Sequence, residues 1–195
     1  EIKKTFEEKQ CGVKVGLGEL TITENYQSYI TKTYDEVIKR QPLNLPPLTF
    51  STVGLWFLVP EKIKDEIEAQ NLDFDGGIHA VEHAMIAMSP IFAMCDRWDI
   101  GGLSTPLHPD TGEPTIFVYD GFEGGIGISE NLYSNIKPLW EKTLKLIENC
   151  ECKDGCPSCI YSPKCGNENA PLDKKAAAII LQHLIAISDN HLSSS

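Results

Sequence analysis

The chain has no long uninterrupted apolar run and no start resembling a signal peptide. A membrane-spanning helix needs roughly 18–20 apolar residues, so neither insertion nor secretion has positive support, and a cytoplasmic location is the expectation. Positive charge is also scarce. The 17 Lys and Arg face 28 Asp and Glu, a net charge of −11, and the pI is about 4.9. That balance argues against a generic phosphate-binding surface, although a local patch could still meet DNA if another domain supplied most of the affinity. The least acidic stretch, Lys137 to Lys175, has no arginine and no basic–aromatic interleaving, so its nucleic-acid signal is weak. No GxxxxGK[ST] phosphate loop is present, which excludes nucleotide hydrolysis by that route. The first residue is Glu1 rather than methionine, as expected of a processed chain or a piece of a longer one.

What is present suits a globular core. A chain of 195 residues with 42% hydrophobic content can form one domain or two small lobes. Residues 11–34 read as β structure, with Val13, Val15 and Leu17 alternating with Lys14, Gly16 and Gly18. Pro42, Pro46 and Pro47 make 40–47 a connection. Leu48 to Val59 returns to β character, and Pro60 opens a short acidic helix with Ile63 and Ile67 paired on one face. Ile78, Val81, Met85, Met88 and Phe92 mark one face of a helix that Ser89-Pro90 kinks or caps, with Asp96, Asp99 and Gly101-Gly102 ending it in a polar loop. Thr115 to Tyr119 is a strand. Ile136, Leu139, Trp140, Thr143, Leu144 and Ile147 stripe one late helix; Ala176, Ala177, Ile180, Leu181, Leu184 and Ile185 stripe the last, with Asp173 as its cap. These patterns predict an α+β fold. Its N-terminal antiparallel β portion, 1–60, is expected to pack with a helical portion, 61–195, in one compact domain.

Between the last two helices lies a cysteine loop. Five of the seven cysteines fall between Cys150 and Cys165, and four of them read C-x3-C-x2-C-x5-C at Cys152, Cys156, Cys159 and Cys165. Two short thiolate pairs separated by a turn can converge on one tetrahedral ion, and soft sulfur favours zinc over calcium or magnesium. Gly155 and Pro157 suit the tight reversal. Cys150 is a fifth candidate, left out because the other spacing is more regular. An iron–sulfur cluster shares the all-thiolate ligand set and stays open, as do a disulfide or unliganded thiols. Four sulfurs leave no position for water, so the site reads as structural, stapling two helices, and ion loss should disorder this lobe.

Two other motifs carry chemistry. His79, Glu82 and His83 form H-x-x-E-H, the short inverted zincin pattern, with Asp96, Asp99, Asp120 or Glu123 as conceivable third ligands. Helix capping, hydrogen bonds or a domain contact are the simpler uses of these residues. The glycines from Gly121 to Gly127 could cradle a phosphate at a helix start, but no Walker lysine follows, and a strand-to-helix elbow is more economical.

Taken in order, His79-Ala80-Val81-Glu82-His83-Ala84, Asp96-Arg97-Trp98-Asp99-Ile100-Gly101-Gly102, Tyr119-Asp120-Gly121 with Gly124-Gly125 and Gly127, and GCPSCIYSPKCGNENAPLDKKAA resemble the zinc-binding C-terminal domain of DEAD/DEAH-box superfamily 2 DNA-repair helicases of bacteria and fungi. The resemblance spans most of the chain, and the earlier LNLPPLTFSTVGLWFLVP is similar to that domain's β portion. It implies an accessory domain of an ATP-dependent 3′-to-5′ DNA helicase, assisting DNA engagement or motor coupling. It implies zinc on Cys152, Cys156, Cys159 and Cys165, with ATP and magnesium belonging only to the motor lobes of the same polypeptide. DNA is a further possible partner. Without a phosphate loop or a DEAD or DEAH box, the fragment is expected to have no such activity alone. The alternatives are a small metallo-hydrolase using His79, Glu82 and His83, or a protein–protein interaction module.

Overall fold

The computed structural model describes residues 2–10, 13–33 and 36–193. Cys11, Gly12 and Tyr34, which belong to the predicted 11–34 β region, lie outside the described residues. The strands are β1 (Ile2–Gln10), β2 (Lys14–Glu24), β3 (Ser28–Thr33), β4 (Glu36–Pro42) and β5 (Leu48–Leu58), followed later by β6 (Ile100–Thr105) and β7 (Thr115–Asp120). The helices are α1 (Glu61–Ala69), α2 (Phe74–Met88), the short α3 (Pro90–Ala93), α4 (Ile128–Ser134), α5 (Ile136–Asn149) and α6 (Lys174–Ser193). The expected α+β class is what the structure shows: an antiparallel sheet first, then helices carrying the cysteine loop.

The main sheet has the order β1-β2-β5-β7-β6, with every neighbouring pair antiparallel. Its strands obey the two-residue alternation of a pleated surface. Val15 and Leu17 on β2, Leu55 and Phe57 on β5, and Ile116 and Val118 on β7 face the helices in the main core. Leu20, Trp56, Leu58 and Phe117 form a small apolar cluster on the other face. Strands β3 and β4 make a separate hairpin.

Three strands were not legible. β4 runs into the segment 40–47 expected to be a connection: Arg40, Gln41 and Pro42 pair with Ile30, Tyr29 and Ser28, since Pro42 at the end of a two-stranded hairpin breaks no central ladder. β1 is written IKKTFEEKQ, whose charges hide any apolar alternation and suit the sheet edge where it lies. β6 occupies the segment expected to be a polar loop. Its pairing with β7, from Ile100 opposite Asp120 to Thr105 opposite Thr115, turns Gly101-Gly102 into strand. The sheet therefore draws strands from both sides of residue 60, and β6 and β7 tie the helical portion to the β portion.

α2 is the spine. The heptad-like stripe predicted one apolar face, yet the helix is buried on nearly all sides, including Ala80, Glu82, His83 and Ala84. It packs against α6, α5, β6 and β7 at once. Its start lies earlier than expected, because Asp73 accepts a hydrogen bond from the Gly76 amide at 3.0 Å and caps the helix. The stripe of α5 buries Ile136, Leu139, Trp140, Thr143 and Ile147, with Trp140 edge-on to Phe57 at 5.2 Å. α6 buries Ala176, Ala177, Ile180, Leu181 and Leu184. Asp173 caps α6 by accepting from the Lys175 and Ala176 amides, and its other oxygen accepts from the Asp73 amide, joining the starts of α2 and α6.

α2 and α6 approach so closely at Gly77 that a Cβ there would lie 2.7 Å from that of Ala176. Gly77→Val should wedge the helices apart at a cost of about 1–3 kcal/mol, as other overpacked cores do. Chemical unfolding monitored by circular dichroism would show it as a lower midpoint. An unchanged midpoint would mean that the helix pair is not closely packed there.

Candidate metal centre

The chain leaves α5 at Cys150 and enters α6 at Lys174; the intervening loop carries the cysteines. Its turn is built at Cys156–Cys159, where the Cys159 and Tyr161 amides both donate to the Cys156 carbonyl, at 3.0 and 3.1 Å. Gly155 precedes it with φ of +122°, a conformation side chains rarely adopt. A Cβ there would also sit 2.7 Å from Ile160, which plugs the loop into the core at 0% exposure.

The folded loop gathers the sulfurs of Cys150, Cys152, Cys156 and Cys159, all within 4.8 Å of one another. The separations are 3.5 Å for Cys150–Cys152, 3.4 Å for Cys150–Cys156, 3.5 Å for Cys152–Cys159 and 3.8 Å for Cys156–Cys159. A disulfide would be about 2.05 Å; none joins the described cysteines. Zinc–sulfur bonds of about 2.3 Å in a tetrahedron put sulfurs about 3.8 Å apart. The cluster is therefore close to the size of a zinc tetrathiolate. Lys174 Nζ donates to the carbonyls of Cys150 and Cys152, both at 2.6 Å, and reaches the Cys152 sulfur at 3.4 Å. A cation is thus fixed against a ligand set whose thiolates outweigh the charge of a divalent ion. Burial pushes the Cys159 thiol up to about 12, whereas the Ser158 amide draws Cys156 down to about 7.

The sulfurs that lie together are not the same four that the spacing singled out. Cys152, Cys156 and Cys159 come together, but their fourth member is Cys150, and Cys165 is elsewhere. The physical reason is Ile160. Anchored in the core directly after Cys159, it turns the chain away, carrying Cys165 toward α2, where its sulfur lies 3.5 Å from His79 Nε2. The missed signal was the paired C-x-C and C-x2-C, visible once regularity over all four spacings is not demanded. Nothing in the spacing marked Lys174, which lies 22 residues beyond Cys152 and is brought back only by the fold.

The histidines do share a face, as their spacing implied. His79 Nδ1 lies 2.8 Å from the Pro171 carbonyl, and His83 Nδ1 lies 2.8 Å from that of Ile160. Burial draws His83 down to about 4 and raises Glu82 to about 7. Glu82 accepts from the Ser104 hydroxyl at 2.7 Å. The four acids considered as a third ligand do not complete the histidine pair among the described residues. Asp96 and Asp99 cap a single 3-10 turn reciprocally, and Glu123 is exposed. Asp120 accepts from the amides of Ile126, Ile128 and Ser129 and from the Ser129 hydroxyl. Its carboxylate fills the amide cluster that a phosphate would need, so the glycine segment is a strand-to-helix elbow.

Comparison with known proteins relates the chain to zinc-binding domains. The family description MrfA Zn-binding domain matches residues 81–160. An uncharacterised protein of Methanocaldococcus jannaschii is 46% identical over 114 residues, covering 56% of this chain and 100% of that protein. The ATP-dependent helicase YprA of Bacillus subtilis is 32% identical over 167 residues, covering 82% of this chain and 21% of the helicase. The ATP-dependent helicase HRQ1 of Saccharomyces cerevisiae is 25% identical over 167 residues, covering 80% of this chain and 16% of the helicase. The crystal structure of the DUF1998 helicase MrfA bound to DNA shares the fold with a TM-score of 0.66 at 24% identity, over 94% of this chain and 24% of that one. The chain thus spans the whole of the archaeal relative but about a fifth of the helicases. The match over residues 81–160 and the similarity over the whole of the archaeal protein put the chain in the family of the MrfA Zn-binding domain.

Proposed function

We propose that this chain works as the accessory zinc-binding domain of an ATP-dependent DNA helicase, seated beside the motor lobes of the same polypeptide and assisting DNA engagement or motor coupling. The observation that carries this reading is the four-sulfur cluster joining α5 to α6. Cys150, Cys152, Cys156 and Cys159 would hold zinc, which supplies cross-linking rather than reaction chemistry, since four sulfurs fill its coordination. A structural zinc site can contribute roughly 10–16 kcal/mol of apparent folding free energy. That is enough to fix a polar loop against two helices and to present a rigid face to a neighbour.

The surface favours a protein neighbour over a broad DNA footprint. Net charge is −11, whereas Ile91, Met94 and Trp98 are each at least 65% exposed along one segment after α2. Such side chains suit an apolar contact with the motor lobes. No helix among the described residues is long and apolar enough to cross a membrane.

Cys150→Ser should release the ion of the cysteine cluster, whereas Cys165→Ser should leave it bound. Zinc analysis after gel filtration, with hydrogen exchange across 150–175, separates the two. Lys174→Met removes the cation held beside the thiolates and should weaken zinc binding by about 10- to 100-fold, as loss of a supporting partner typically does; competition with a chelator reads the change.

The motor reading has its own test. The isolated chain should hydrolyse no ATP, while Cys156→Ser or Cys159→Ser in the full polypeptide should impair DNA unwinding or its coupling to ATP hydrolysis. Normal unwinding after deletion of the whole domain would overturn the accessory role.

A further inference from the structure

Two imidazoles on α2 take no part in the four-sulfur cluster. His79 and His83 stand one helical turn apart with ring centroids separated by 4.3 Å. Each points Nδ1 at a main-chain carbonyl, of Pro171 and Ile160 respectively. A carbonyl oxygen only accepts, so Nδ1 carries a proton in both rings, and in a neutral ring Nε2 then keeps its lone pair for another partner. The Cys165 sulfur lies 3.5 Å from His79 Nε2 and accepts a hydrogen bond from the Asn169 amide at 3.3 Å. One nitrogen of each ring and this sulfur all lie within 4.8 Å of one another. A single thiol proton can serve only one of the two rings. An ion serves all three groups.

We infer that His79, His83 and Cys165 form a second metal site, for a divalent ion of the zinc class, with a fourth position open to solvent-borne ligands. The dimensions fit. Bonds of about 2.05 Å to nitrogen and 2.3 Å to sulfur at tetrahedral angles place those atoms about 3.6 Å apart. Two imidazoles and one thiolate select zinc-like ions over magnesium or calcium. Carbonyls that fix the rings through Nδ1 are the usual outer support of histidine ligands, and the Asn169 amide anchors the Cys165 sulfur. Three protein ligands leave a position free, and all three residues line a cavity of about 460 Å³ together with Glu82, Ser104, Tyr119 and Lys164. Water or a small anion can therefore reach the ion.

This site is separate from the four-sulfur cluster but shares its loop. Ile160, whose carbonyl orients His83, directly follows Cys159. Each ion would thus help to position the other's ligands without sharing any.

The test is metal stoichiometry of the full chain, reconstituted with zinc under reducing conditions and freed of excess metal. Two equivalents are expected. Cys165→Ala and His79→Gln should each retain one, as should Cys156→Ser, and the triple variant should retain none. His79 is only partly buried, and circular dichroism establishes that each variant is folded. With cobalt, addition of thiocyanate should shift the visible bands of the wild type and of Cys156→Ser but not of Cys165→Ala. One equivalent that survives Cys165→Ala combined with His79→Gln and is lost in Cys156→Ser would overturn the second site. One equivalent lost in Cys165→Ala but kept in Cys156→Ser would support it while overturning the four-sulfur reading. Two equivalents unaffected by the Cys165 and His79 changes would also overturn it.

Discussion

Between α5 and α6 the chain runs through Gly, Pro, Ser, Lys and Asn, and only Cys159 and Ile160 of that loop are fully buried. Apolar burial at about 25 cal/mol per Å² cannot hold so polar a segment in one shape. What crowds it instead is sulfur, with separations of 3.4–3.8 Å and a lysine fixed beside it. Thiolates that close repel unless a cation lies among them, and so the loop's order is tied to metal binding. The exit of α5 and the entry of α6 inherit their placement from the same knot.

α2 is the other half of that arrangement. Buried on almost every side, it gives the sheet, α5, α6 and the loop one common surface. The cost is that polar groups on it must find partners inside the protein. His83 faces the Ile160 carbonyl, His79 that of Pro171, and Glu82 takes the Ser104 hydroxyl. The two histidine contacts hold the loop, and the glutamate contact holds β6, against the helix that organises the core. A domain built in this way offers a stiff body.

Helices were the most readable parts of the chain. The stripes on α5 and α6, the start of α1 after Pro60 and the cap at Asp173 are local patterns, and local patterns survive folding. β7 was readable for the same reason. β6 was not, because Gly101-Gly102 looks like a turn until β7 lies beside it. The single apolar face assigned to α2 also fell short, since a helix enclosed by several elements has no solvent side to mark with polar residues.

The sequence by itself determined that a cysteine-rich loop joins two amphipathic helices and that two histidines share a helical face, because both follow from spacing along a few turns of chain. Only the tertiary structure decided which sulfurs meet. Cys150 joins Cys152, Cys156 and Cys159, while Cys165 goes to His79, whose partner lies 86 residues away. Ligand sets depend on where the chain turns, and that turn is fixed by Ile160 entering a core assembled from distant segments, which no interval between cysteines encodes.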